Sequence, residues 1–173
     1  MDADLATTYR AARELDLTQV GGALVKWAFQ VRGIPERMGS RGNGPPRVPT
    51  RMTLDDLSAS SDWVILGERP SAEVAFGAVG RFWKPVIEWH EIEPRDFTDF
   101  TTPGWGKIAC SLSVQPYGQN RTLLTYDVRT ILNDPLSWVR FRRYWHLIGP
   151  FVGMIERAAL RTIAAAAEHP GRD

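Results

Sequence analysis

The sequence predicts an α+β fold: an antiparallel β-sheet wrapped on one long C-terminal α-helix, with two short helices ahead of the sheet. Three observations carry this. Residues 134–168 hold one long stripe of apolar side chains at steps of three or four residues. Residues 63–131 break into short runs rich in β-branched and aromatic residues, separated by turn formers. Residues 4–32 show helical apolar spacing in two pieces. At 173 residues the chain is most simply one domain, spanning 1–173, with room for a core.

In order, residues 4–15 read as a helix with Leu5, Tyr9, Ala12 and Leu15 on one face, interrupted at Asp16-Leu17-Thr18. A second helix runs to about Arg32, turning Val20, Leu24, Trp27, Ala28 and Val31 inward, and stops at Gly33 and Pro35. Residues 39–50 are turn formers throughout and read as an exposed loop; their spacing fits no phosphate-binding glycine motif. Thr53 followed by Leu54-Asp55-Asp56 reads as an N-cap with acids in the first turn, so a helical turn is expected over 54–58.

Five strands follow, at Trp63–Glu68, Glu73–Val79, Lys84–Ile92, Lys107–Gln115 and Thr122–Ile131, so closely spaced that they imply hairpins. Alternation puts Ile108, Cys110, Leu112 and Val114 on one face, and Leu124, Tyr126 and Val128 on the matching face of the last strand. The final helix must cover that apolar face. Asp134 with Pro135 is its start, a carboxylate cap before a proline whose missing N–H costs nothing there. Its stripe is Trp138, Phe141, Trp145, Ile148, Val152, Ile155, Ala159, Ile163 and Ala166, and Tyr144, Leu147, Phe151, Met154 and Ala158 lie beside it. Pro150 removes one helical hydrogen bond, so a bend is expected near Tyr144–Phe151.

A net charge of +1 gives no electrostatic footprint for nucleic acid. The single cysteine, Cys110, excludes an internal disulfide and fits a reducing compartment. No apolar run suits a signal peptide or a membrane span, so a soluble, cytoplasmic protein is expected. No nucleophile, zinc or phosphate-loop motif occurs. His90, His146 and His169 are too scattered for a metal site, and no metal or other cofactor is expected.

Two helices, a curved antiparallel sheet and one long C-terminal helix form the helix-grip order. The chain resembles the START-like superfamily, also called SRPBCC, of polyketide cyclases, aromatases and lipid-transfer domains, and within it uncharacterised bacterial members. The likeness covers roughly residues 5–168. It rests on Leu66-Gly67-Glu68-Arg69-Pro70, Gly77-Ala78-Val79-Gly80-Arg81-Phe82-Trp83, Pro103-Gly104, Tyr126-Asp127-Val128-Arg129, and Phe141-Arg142-Arg143-Tyr144-Trp145 with Ile148 and Pro150-Phe151. Such domains begin with a strand that leads into the first helix, whereas Met1 stands almost at that helix. Either the sheet is one strand short, with an open edge, or the start lies upstream of Met1.

The resemblance implies a hydrophobic small-molecule ligand held between sheet and helix. The expected lining is Trp27, Phe76, Trp89, Cys110, Leu112, Tyr126, Tyr144, Trp145, Ile148 and Phe151, with Arg81, Asp127 and Arg129 as candidate polar clamps. An opening is expected beside Tyr144–Phe151, near Pro103-Gly104-Trp105. The same rings could instead fill the space completely, and Asp127 with Arg129 could be an exposed charge pair. Three functions stay open. The first is a carrier or sensor of a lipid, polyketide or other polycycle. The second is a cyclase or aromatase using Tyr126, Tyr144 or His146 as acid or base. The third is an assembly role through the sheet edge. A monomer or a homodimer fits equally.

Overall fold

The computed structural model describes residues 1–16, 20, 53–59 and 62–169. The helix expected to run to Arg32, the loop at 39–50 and Trp27 lie outside the described residues; Val20 lies within them and is buried in the core.

Helix α1 (Leu5–Arg13) starts where the Asp4 carboxylate accepts from the Thr7 backbone N–H at 3.0 Å. It buries Tyr9 and Ala12, with Leu15 just beyond its end. Helix α2 (Leu54–Ala59) opens on a reciprocal cap: the Thr53 N–H donates to Asp56 Oδ2 at 2.8 Å, and the Asp56 N–H to Thr53 Oγ1 at 3.4 Å. Arg13 ties both helices to the sheet, pairing with Asp55 at 2.6 Å and with Glu68 at 3.2 Å.

The strands are β1 (Val64–Arg69), β2 (Glu73–Arg81), β3 (Glu88–His90), β4 (Gly106–Pro116) and β5 (Thr122–Leu132). They form one antiparallel sheet in the order β1-β2-β4-β5, and β3 takes over the edge of β2 beyond β1, pairing with Val79–Arg81. The strand expected over Lys84–Ile92 is shorter than its apolar content suggested. The Lys84 N–H donates to the Arg81 carbonyl at 3.1 Å, and Glu88 pairs with both Arg81 and Lys84, so the chain turns there instead of extending.

The inner face of the sheet carries Val74, Phe76, Cys110 and Leu112, which pack with Ala12, Leu15, Leu54, Ala159 and Ile163. On the outer face Phe97 is buried over Gly77, and Lys107 donates to the Phe97 and Thr98 carbonyls at 3.1 and 2.8 Å. Two carbonyls thus satisfy a buried ammonium.

Helix α3 (Pro135–Glu168) has the start read from the sequence, with Asp134 as N-cap and Pro135 in its first turn. It runs unbroken past Pro150 and packs on α1 and β5. The result is a helix-grip arrangement: an open antiparallel sheet against a long C-terminal helix, with short helices at the N-terminus. The stripe needs two corrections. Its last inward residue is Ala167, and Ala166 is exposed, because a step of four from Ile163 stays nearer the buried side than a step of three. Trp138 and Trp145, expected inside, are 51 and 41% exposed. Among the described residues no helix is long and apolar enough to cross a membrane.

Candidate functional site

Both ends of α3 are tied down. At the start, Asp134 accepts from the Ser137 N–H at 2.9 Å, the Ser137 hydroxyl at 2.6 Å and the Gly104 N–H at 2.6 Å. These bonds, led by the Ser137 hydroxyl, hold its carboxyl down at about 2. At the far end Glu168 accepts from the Asp2 N–H at 3.0 Å, beside the Met1–Thr122 contact at the start of β5. The helix therefore runs from the Gly104–Gly106 end of the sheet to the Thr122 end. At 34 residues it is about 51 Å long, against about 36 Å for the 11 residues of β5.

The C-terminal half of α3 lies on a filled core. Ala159 and Ile163 are buried against Phe76, Cys110 and Leu112, with Tyr126 and Val128 packed alongside. Tyr126 lies one register step from Cys110 across β4 and β5, on the same inner face. Burial pushes the thiol up to about 12 and the phenol well above its usual value, so both stay protonated at neutral pH.

The N-terminal half spans the other end of the sheet. There Gly80 pairs with Gly106 across β2 and β4, leaving the inner face without side chains at that step. Phe82 folds back into the gap; a Cβ on Gly80 would lie 2.9 Å from its ring. From Phe82 a chain of rings runs to Trp89 (5.9 Å), Trp63 (6.2 Å) and Phe76 (5.7 Å). On the helix a second group joins Phe141 to Trp145 (5.7 Å, stacked) and to Tyr144 (5.9 Å). The Trp145 indole lies over Gly149, where a Cβ would sit 3.2 Å from its Nε1. The absence of a side chain at Gly149 thus makes room for this ring.

The structure thus divides the expected lining. Phe76, Cys110, Leu112 and Tyr126 belong to the packed end. Trp89 belongs to the aromatic end of the sheet, and Tyr144, Trp145, Ile148 and Phe151 to the overlying helix half. Trp63 and Phe82 join the aromatic end although the sequence reading did not single them out. Strand parity was the available signal: Trp63 shares its face with Ile65, and Phe82 with Phe76 and Ala78.

The three clamp candidates lie on the outer face, away from the helix. Arg81 donates to the Gly104 carbonyl at 2.9 Å, pairs with Glu88 at 2.8 Å and stacks 4.4 Å over Trp105. It fastens the 103–105 loop to the sheet. Asp127 and Arg129 pair with each other at 3.0 Å in solvent, since alternation from the inward Tyr126 turns both outward. A depression of about 320 Å³ beside the β1–β2 turn is lined by Gly67, Glu68, Arg69, Glu73 and Ala75, a charged lining unsuited to an apolar ligand. Among the described residues no three His, Cys, Asp or Glu side chains are grouped as a metal would need.

Compared with known proteins, the chain matches no family model, no curated protein and no solved structure.

Proposed function

We propose that the chain carries or senses a hydrophobic small molecule held between the aromatic end of the sheet and the N-terminal half of α3. The supporting observation is Trp145. Eighteen residues separate it from Ile163, about five turns at 3.6 residues per turn, so both point to the same side of the helix. Ile163 is fully buried, yet Trp145 is 41% exposed. An apolar, inward-directed stripe that its own sheet does not cover is suited to a ligand that would cover it. Trp63 and Trp89, both half-buried, offer the facing wall, with the buried Phe82 packed against Trp89. A lipid or a polycyclic aromatic fits this chemistry, because the rings supply area and few polar groups. The START-like resemblance supports the same reading. The cyclase alternative draws less support, because Tyr126 lies in the packed half.

A thermal-shift screen with palmitic acid, cholesterol and pyrene tests this. A binder at a hundredfold excess over its dissociation constant raises stability by about 2.7 kcal/mol and quenches tryptophan fluorescence, and Trp145→Ala weakens the shift. If no apolar probe shifts the melting temperature or the emission, the reading falls.

A further inference from the structure

Apart from the ligand reading, β5 presents an edge that is unpaired among the described residues beyond Thr122, and its geometry is specific. It pairs with β4 in one register over its whole length, without a bulge, and contains neither proline nor lysine. Both ends show which way its backbone groups point. Thr122 exchanges both backbone hydrogen bonds with Met1, each 3.0 Å, on the side away from β4. The Asn133 N–H turns to the Trp105 carbonyl at 3.1 Å, on the β4 side. Even-numbered residues of β5 therefore direct their N–H and C=O outward. Among the described residues only Met1 bonds to the backbone of this edge, at Thr122. The outward groups of Leu124, Tyr126, Val128, Thr130 and Leu132 meet none. The opposite edge of the sheet is blunted, with a bulge between Ile65 and Gly67 and then Glu68, Arg69 and Pro70.

We propose that a second copy of this chain pairs its β5 antiparallel to this edge, about a twofold axis through Val128, giving one sheet continuous across two molecules. Outward groups must face outward groups, so a symmetric axis passes through a residue of the strand. An axis at Asp127 sets that carboxylate against its own copy, and one at Arg129 sets guanidinium against guanidinium; like charges directly opposite are unfavourable. An axis at Tyr126 brings Thr130 of the second copy onto Thr122, where Met1 already sits. An axis at Thr130 shortens the overlap to residues 128–132 and leaves both charges without opposite partners. The axis at Val128 places Asp127 opposite Arg129 of the second copy, and Arg129 opposite its Asp127, on the outer face. On the inner face Leu124 meets Leu132, Tyr126 meets Thr130, and Val128 meets itself. The second strand ends at Leu132, just short of Met1. Leu123 and Ile131, 48 and 57% exposed on the outer face, become diagonal neighbours across the seam.

Sedimentation velocity of the whole chain tests the pairing. The wild type should sediment at twice the chain mass of 19.5 kDa. Val128→Pro should return it to one chain mass: the lost N–H points outward, so the β4 bonds through Asp127 and Arg129 survive, and circular dichroism should show an intact fold. Asp127→Arg should also give one chain mass, and Asp127→Arg with Arg129→Asp should restore the dimer. Under mild oxidation, Asp127→Cys protein mixed with Arg129→Cys protein should form a disulfide-linked heterodimer, while neither alone links to itself. A wild type of one chain mass up to millimolar concentration overturns the proposal. So does a dimer that Asp127→Arg leaves unchanged and the mixed cysteines fail to link.

Discussion

Ile163 and Trp145 stand on the same side of one helix. Ile163 is sealed between α1 and the inner face of the sheet, and Trp145 lies over Gly149 with much of its indole open. The two halves of α3 continue the same periodicity, and what lies beneath them differs. Under the C-terminal half, Phe76, Cys110 and Leu112 rise from three-way packing with Ala12 and Leu15. Under the N-terminal half, Gly80 and Gly106 lower the floor, and the aromatic side chains of the sheet pack on one another. The contrast teaches that a helical stripe reports direction alone, and that coverage is a property of the partner surface.

The largest effect that would sharpen this contrast is at Ile163. Ile163→Ala should destabilise by about 2–5 kcal/mol, as truncation in a filled core does, read as a lower urea midpoint at unchanged slope. A loss below about 1 kcal/mol would mean that the C-terminal half is also loosely covered. Next, Tyr9→Phe should cost about 1 kcal/mol, because its hydroxyl donates to Glu68 at 2.5 Å and ties α1 to β1 at the packed end. Burial and that bond raise the Tyr9 pKa from 10.0 to about 12. The folded state thus holds the phenolic proton more tightly than the unfolded chain. The gap between wild type and Tyr9→Phe should be constant below pH 10 and should close as pH rises toward 12.

At the open end the effects shrink. Trp145→Ala should cost under about 1 kcal/mol without ligand, although a core tryptophan would cost about 3–5 kcal/mol. A core-sized loss would place Trp145 in the packed class and break the comparison. The smallest effect is at the start of the helix. Asp134 has a lowered pKa, so its charge contributes above the unfolded value of 3.8 and is lost as pH falls toward 2. Asp134→Asn keeps a neutral cap. Its melting temperature should lie below the wild type above pH 4 and converge with it near pH 2.

Much of the fold was legible because its signals are local. The limits of α3 followed from Asp134-Pro135 and the stripe, and the strands from alternation and turn residues. The start of β3 was missed because the turn at Lys84 and the ion pairs at Glu88 bend an extended-looking run. The site was legible only by residue type. Tyr126 and Trp145 both looked like cavity walls; parity and periodicity gave their direction, and neither could say that one is packed and the other open. Arg81 looked like a clamp until the fold placed Gly104 and Trp105 beside it on the outer face.

On the proposed function, an apolar ligand sits between the open half of α3 and the aromatic end of the sheet, and the packed half stays unchanged. The most direct test is the set of seven tryptophan indole N–H signals in an NMR titration with palmitic acid, with the Ile163 methyl signals followed alongside. The Trp63, Trp89 and Trp145 indoles should move together and saturate, while Trp105 on the outer face and the Ile163 methyls hold still. Saturating shifts at Trp105 or Ile163, with Trp145 unmoved, would contradict that function.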